Sequence, residues 1–217
     1  MHHGVFVGEN APYREKRILI LGESHRISTE DVLNKELGKP ATYTTESVVN
    51  DYISIGSRNK TSRSYRFFSN IANSFSFPTN TVEERKNFWE RVYFGNYADV
   101  LGGVGDDFIK GYIFDNRTML NDSLFAFVNH MQIDLIFCFS KRVYKKLPSL
   151  SDGECESIHE ITSSRSDLKK TVYMPNQEHA NSCVKLYKEL TVYGLQHASS
   201  YFSSTAYKDY FSSLQLF

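Results

Sequence analysis

Ile18-Leu19-Ile20-Leu21 is an apolar run without alternation that stops at Gly22 and is followed at once by Glu23, Ser24, His25 and Arg26. A strand that is apolar at successive positions must bury both of its faces, as a parallel strand does when helices cover it on each side. Such a strand carries the loop after it to the carboxyl edge of the sheet, where open α/β folds bind their ligands. Gly22 lets the backbone turn sharply and lets a ligand come close. An acid, a hydroxyl, an imidazole and a guanidinium in a row make this loop a candidate site. Ordinary loops also carry such residues, so the weight falls on what the other strand ends supply.

Several later segments fit the same architecture. Thr44 to Ile55 has Val48, Val49, Tyr52 and Ile53 at helical spacing, and Tyr65, Phe68, Ile71, Ala72 and Phe75 form a second helical stripe. Ser28, with Glu30 and Asp31 after it, predicts a helix cap with first-turn acids. Thr81-Val82-Glu83-Glu84 has capping-box spacing and opens a helix through Phe88 and Trp89, with Trp89 expected to be packed. Arg91 to Tyr97 reads as a second strand, with Asn96 at its end. Asn116 to Gln132 reads as a crossover helix feeding a third doubly apolar strand, Asp134 to Phe139. Lys169 to Tyr173 is expected to be a further strand, Ala180 to Leu190 a helix, Thr191 to Leu195 the last strand and Thr205 to Leu214 a closing helix. Pro148 to Arg165, rich in Ser, Gly, Asp and Glu, reads as a surface loop. The expected architecture is α/β: a three-layer α/β/α sandwich around a central, mainly parallel four-stranded sheet, with residues 1–217 as one domain.

The 217 residues are enough to bury a sizeable core, and a hydrophobic content of 41% with 14% aromatics excludes a disordered chain. No apolar run approaches the roughly 20 residues that cross a bilayer, and no secretory signal is evident at the start, so neither a membrane nor secretion is expected. Cys138, Cys155 and Cys183 are odd in number and widely spaced, which fits neither a disulfide framework nor a metal knuckle. A reducing, cytoplasmic setting follows. The 25 basic and 25 acidic side chains cancel, so a nucleic-acid partner would need a local basic face.

Two windows supply one. Ser57 to Phe68 places Arg58, Lys60, Arg63 and Arg66 among hydroxyls and aromatics with no acid, and Ser140 to Leu147 places Lys141, Arg142, Lys145 and Lys146 just after the third strand. Cations that meet phosphates beside rings that stack on bases suit a nucleic-acid surface; solvated helix faces are the other reading. Asn96 at a strand end could read a base edge, since its amide offers a donor and an acceptor, or could be a turn residue. The glycine-rich Leu101 to Asp107 lacks a P-loop lysine and the context of a dinucleotide fingerprint. His159 has no partner at ligand spacing. The last strand runs into His197-Ala198-Ser199, a second imidazole amid hydroxyls.

Glu23 and His25 after the first strand, Asn96 after the second, Lys141 and Arg142 after the third, and His197 with Ser199 after the last form an order that resembles the uracil-DNA glycosylase superfamily. The similarity touches short segments spread over most of the chain. It implies a DNA glycosylase that acts without cofactor or metal, with DNA as partner, and a monomer. Glu23 would handle the attacking water, Asn96 would pair with the flipped base, and His197 would stabilise charge on the leaving base. His25 would share the catalytic loop, Gly22, Ser24 and Arg26 would line the base site, and Ser199 would grip a phosphate or support its loop. Arg58, Lys60, Arg63, Lys141 and Arg142 would clamp DNA. The sequence departs from the family at Ser24-His25-Arg26, where a small residue, proline and glycine or an aromatic are usual, and at Ala198, where proline is usual. Two alternatives stay open: a glycosylase-fold module that binds DNA or a nucleotide without the chemistry, and a metal-dependent hydrolase using Gly22-Glu23-Ser24-His25.

Overall fold

The structure is a computed structural model that describes residues 4–26, 45–55, 63–98, 100–102, 107–150, 168–199 and 202–217. Its strands are β1 (Phe6–Val7), β2 (Ile18–Gly22), β3 (His25–Arg26), β4 (Tyr93–Asn96), β5 (Leu101–Gly102), β6 (Leu135–Cys138), β7 (Ser149–Leu150), β8 (Lys169–Tyr173), β9 (His179–Ala180) and β10 (Leu190–Gly194). Its helices are α1 (Thr45–Ile55), α2 (Arg63–Ser74), α3 (Val82–Trp89), α4 (Asp107–Asp115), α5 (Arg117–Met131), α6 (Lys141–Tyr144) and α7 (Ser204–Ser213), with a short 3-10 turn at Ala11–Tyr13.

Six strands form the main sheet in the order β1-β4-β2-β6-β10-β8. The inner four are parallel to one another. The edge strands β1 and β8 run antiparallel to their neighbours, so the sheet is mixed and six-stranded rather than mainly parallel and four-stranded. The sequence hid this for a physical reason: pairing partners are chosen in three dimensions, and β1, at two residues, is too short to show a period.

Alternation in the inner strands sorts their side chains onto two cores. Ile18, Ile20, Phe94, Phe137 and Tyr193 pack with Val49 and Tyr52 of α1, Phe68 and Ile71 of α2, Phe88 and Trp89 of α3, and Tyr207 and Phe211 of α7. Leu19, Leu21, Tyr93, Ile136, Cys138 and Val192 pack with Ile109 and Ile113 of α4, Leu120, Leu124 and Phe125 of α5, and Val143 of α6. All four residues of the opening apolar run are fully buried, as helices on both faces require. This layering is compatible with an α/β/α sandwich. The chain passes from β2 to β4 over the first face and from β4 to β6 over the second, so the winding reverses between β2 and β6. In doubly wound sheets the ligand crevice opens at that reversal.

The capping box opening α3 forms as predicted: the Glu84 amide donates to Thr81 Oγ1 at 3.1 Å, and the Thr81 amide donates to Glu84 Oε2 at 3.2 Å. Two readings fail. Ala180 to Leu190 is not helical, because Asn181 adopts φ 62° and the amides of Cys183 and Val184, with the Ser182 hydroxyl, donate to Asp122 Oδ1 on α5. A carboxylate on a neighbouring helix thus replaces the hydrogen bonds a helix would have made. Conversely, Asp107–Asp115 is helical although Gly111 interrupts its apolar pattern. The cap expected at Ser28, the loop histidine His159 and Cys155 lie outside the described residues. Among the described residues no helix is long and apolar enough to cross a membrane.

Candidate functional site

The four parallel strands end level. Gly22 pairs with Asn96, Leu21 with Cys138, and Cys138 with Gly194. The pairing runs on past the strands, with Tyr97 N donating to Gly22 O at 3.0 Å and Ala98 N to Glu23 O at 2.9 Å. Phe139 N donates to Leu21 O and Leu195 N to Cys138 O, both at 2.9 Å. Beyond the edge, β3 and β5 pair in parallel, His25 with Leu101 and Arg26 with Gly102. Adjacent strands lie about 4.8 Å apart, so Asn96, Glu23, Ser140 and His197 follow one another along a single rim.

Glu23 occupies the winding reversal. It is 7% exposed and engaged through both oxygens: Ser140 Oγ donates to Oε2 at 2.9 Å and Arg142 Nη1 to Oε1 at 2.8 Å. Ser140 is also the N-cap of α6, where its Oγ accepts from Val143 N at 3.3 Å. One hydroxyl thereby ties the acid from β2 to the helix after β6. Burial pushes the Cys138 thiol up to about 12, and the nearby Glu23 charge adds to the effect. That thiol stays protonated and is no nucleophile at neutral pH. Its nearness places the carboxylate on the Leu19 and Leu21 side of the sheet.

A second cluster occupies the opposite side of the same rim. Asn96 is 6% exposed, and its side-chain amide makes no hydrogen bond to a described residue. A Cβ on Gly22 would collide with Asn96 Oδ1 and would meet Phe94 Cζ at 3.6 Å, so the glycine makes room for this amide. The ring of Phe67, on α2, lies 6.2 Å from the Phe94 ring and 5.1 Å from the His197 ring. An aromatic side chain thus sits between the strand end that carries the amide and the imidazole. At His197 the Ser199 hydroxyl lies 2.8 Å from Nδ1, and Ser199 N–H donates to the same atom at 3.3 Å. A backbone N–H can only donate, so Nδ1 accepts and the neutral ring carries its proton on Nε2.

The remaining candidates divide. Ser24 Oγ is buried without a hydrogen-bond partner among the described residues. His25 and Arg26 extend the rim in backbone only; their side chains lie outside the description, as do Arg58 and Lys60, while Arg63 is described only as the first residue of α2. Lys141 is half-buried at the start of α6, and Arg142, expected as a phosphate clamp, spends its charge on Glu23. Sequence reasoning missed Ser140 and Phe67. A hydroxyl directly before a cationic helix start was a signal for the first, and an aromatic lying off the buried stripe of α2 was a signal for the second. Among the described residues no three His, Cys, Asp or Glu side chains gather at metal-binding distance.

No family model matches the chain, and no curated protein matches it significantly.

Proposed function

We propose that the protein is a DNA N-glycosylase of the uracil-DNA glycosylase kind, hydrolysing the bond between deoxyribose and a flipped uracil or modified base. The observation that carries this reading is the pair formed by Asn96 and His197 on one side of one rim: a buried carboxamide with no hydrogen bond among the described residues, and an imidazole whose tautomer is set by Ser199. A carboxamide at the rim that no described residue engages offers a ligand a donor and an acceptor together. A planar base with hydrogen-bonding edges meets both groups and can lie against Phe67 between them.

The chemistry follows from these groups. Breaking the N-glycosidic bond leaves positive charge on the sugar and negative charge on the base, and a fixed Nε2–H aimed at a base oxygen stabilises the anion where it develops. Water then adds at C1′ of the oxocarbenium, and a weak base suffices to take its proton; Glu23, tied to Ser140 and Arg142, lies across the strand ends from Asn96 and His197. The target nucleotide must leave its stack to reach the rim, which fits a site at the exposed edge of the sheet.

The test is incubation of the full chain with oligonucleotides carrying uracil, hypoxanthine or modified cytosines, followed by alkaline cleavage. Strand breaks that vanish in His197→Ala are expected. No product from any substrate at stoichiometric protein would reject the reading. One observation favours a second: Glu23 is engaged by Arg142 and Ser140, as in a module that binds a nucleotide without cutting it. Loss of activity with DNA binding intact, in Glu23→Ala and His197→Ala, would dismiss that alternative.

A further inference from the structure

On one flank of the carboxyl edge, the junction of α4 with α5 and the turn after α6 enclose a groove of about 450 Å³ lined in part by Phe114, Arg117, Met119, Lys146 and Asn181. Phe114 is 68% exposed and Met119 51%, a pair of large apolar side chains brought together in water. Lys146 Nζ lies 5.1 Å from the centroid of the Phe114 ring, so a cation already rests against this aromatic face. Arg117 is fixed from behind: its Nε donates to Lys146 O at 2.7 Å and its Nη2 to Leu147 O at 3.1 Å. Its Nη1 makes no hydrogen bond to a described residue. Beneath, the buried Asn121 amide donates to Lys146 O at 3.2 Å and to Asn181 O at 2.9 Å, which stiffens the floor.

A held guanidinium, an ammonium over one face of the Phe114 ring and the ring's other face, on a side chain largely exposed, together match a nucleotide, whose phosphate meets the cations and whose base lies on the ring. Of the described charged residues that line the groove, Arg117 and Lys146 are basic and only Asp115 is acidic, so the local charge suits an anion. The groove is also in reach of the rim. Lys146 follows Ser140 by six residues, about 9 Å along α6 and its closing turn at helical rise.

We propose that this groove binds a nucleotide of single-stranded DNA, a few positions along the strand from the nucleotide that enters the rim. The proposal rests on the glycosylase reading for that register alone. A duplex keeps its base faces stacked, so only an unpaired base can lie on Phe114. The site therefore favours single strands over duplex.

The experiment is fluorescence anisotropy of a short labelled oligothymidylate, and of its duplex with oligodeoxyadenylate, titrated with the full chain and its variants at several salt concentrations. The parent is expected to hold the single strand more tightly than the duplex. Phe114→Ala should weaken single-strand binding about tenfold with the salt slope unchanged, as loss of one base–aromatic stack predicts. Lys146→Met should lower the slope by about one ion. Both side chains reach solvent, and unchanged melting curves will confirm that the fold survives. Single-strand affinity indifferent to Phe114→Ala, or duplex bound as tightly as the single strand, overturns the groove. The two readings separate cleanly: Phe114-dependent binding without base release keeps the groove and removes the enzyme. Base release with Phe114-independent binding keeps the enzyme and removes the groove.

Discussion

Removing the Arg142 guanidinium leaves Glu23 as a carboxylate with 8% of its side chain exposed and the Ser140 hydroxyl as its remaining donor. Truncating one partner of a buried ion pair costs about 3–5 kcal/mol, because the other charge stays desolvated and uncompensated. Arg142 is itself 29% exposed, so water screens part of the attraction and Arg142→Ala is expected to cost about 2 kcal/mol. At about 2–4 °C per kcal/mol for a chain of this size, the melting temperature should fall by about 4–8 °C. Glu23→Gln removes the buried charge itself and leaves the more exposed cation to water, so it should cost only about 1 kcal/mol. The ordering is the real test. The double variant Arg142→Ala with Glu23→Gln should be more stable than Arg142→Ala alone, since no charge is then stranded. Urea unfolding of the four proteins at neutral pH gives the coupling energy directly. If Arg142→Ala falls within about 0.5 kcal/mol of the parent, or if the double variant loses the sum of the two singles, the account of Glu23 as a buried charge held by Arg142 is wrong.

Gly22→Ala drives a methyl group into Asn96 Oδ1; it should destabilise by about 1–3 kcal/mol as overpacking does, and should abolish base release if Asn96 reads the base. His197→Ala should lower single-turnover base release by about 10²–10³, the worth of one preorganised donor. Ser199→Ala should cost less, because the Ser199 backbone N–H still orients the ring. His179 is buried between Phe125 and Tyr173 with both ring nitrogens unpaired among the described residues, and burial lowers its pKa below 6.5. The unfolded chain therefore takes up the proton first, so stability should be lost as pH falls below about 6.5. In His179→Leu, melting curves between neutral pH and pH 5 should be flatter than in the parent; equal slopes would remove His179 as the cause.

Much of the fold was legible because burial on two faces leaves a period-free mark. Ile18 to Leu21 and Asp134 to Phe139 carry that mark, and the inner strands β2 and β6 (Leu135–Cys138) form there. The helix α3, marked by its capping box, and α5, marked by its apolar stripe, were equally plain. What escaped were elements defined by partners. Asp122 draws the chain at Ser182 to Val184 out of a helix, and β1 exists because Phe94 and Tyr93 pair with it.

The candidate site divides along the same line. Local chemistry in the sequence determined that polar, titratable residues stand at the ends of buried strands: Glu23, Asn96 and His197 with Ser199. Only the tertiary structure decided which of them meet. The parallel order β4-β2-β6-β10 sets them on one rim, and the alternation of side chains sends Glu23 to Arg142 on one side and Asn96 toward Phe67 and His197 on the other. Hydrophobicity along a strand encodes how deeply it is buried. Which strand lies beside it depends on the shape of the whole chain, and no stretch of sequence carries that by itself.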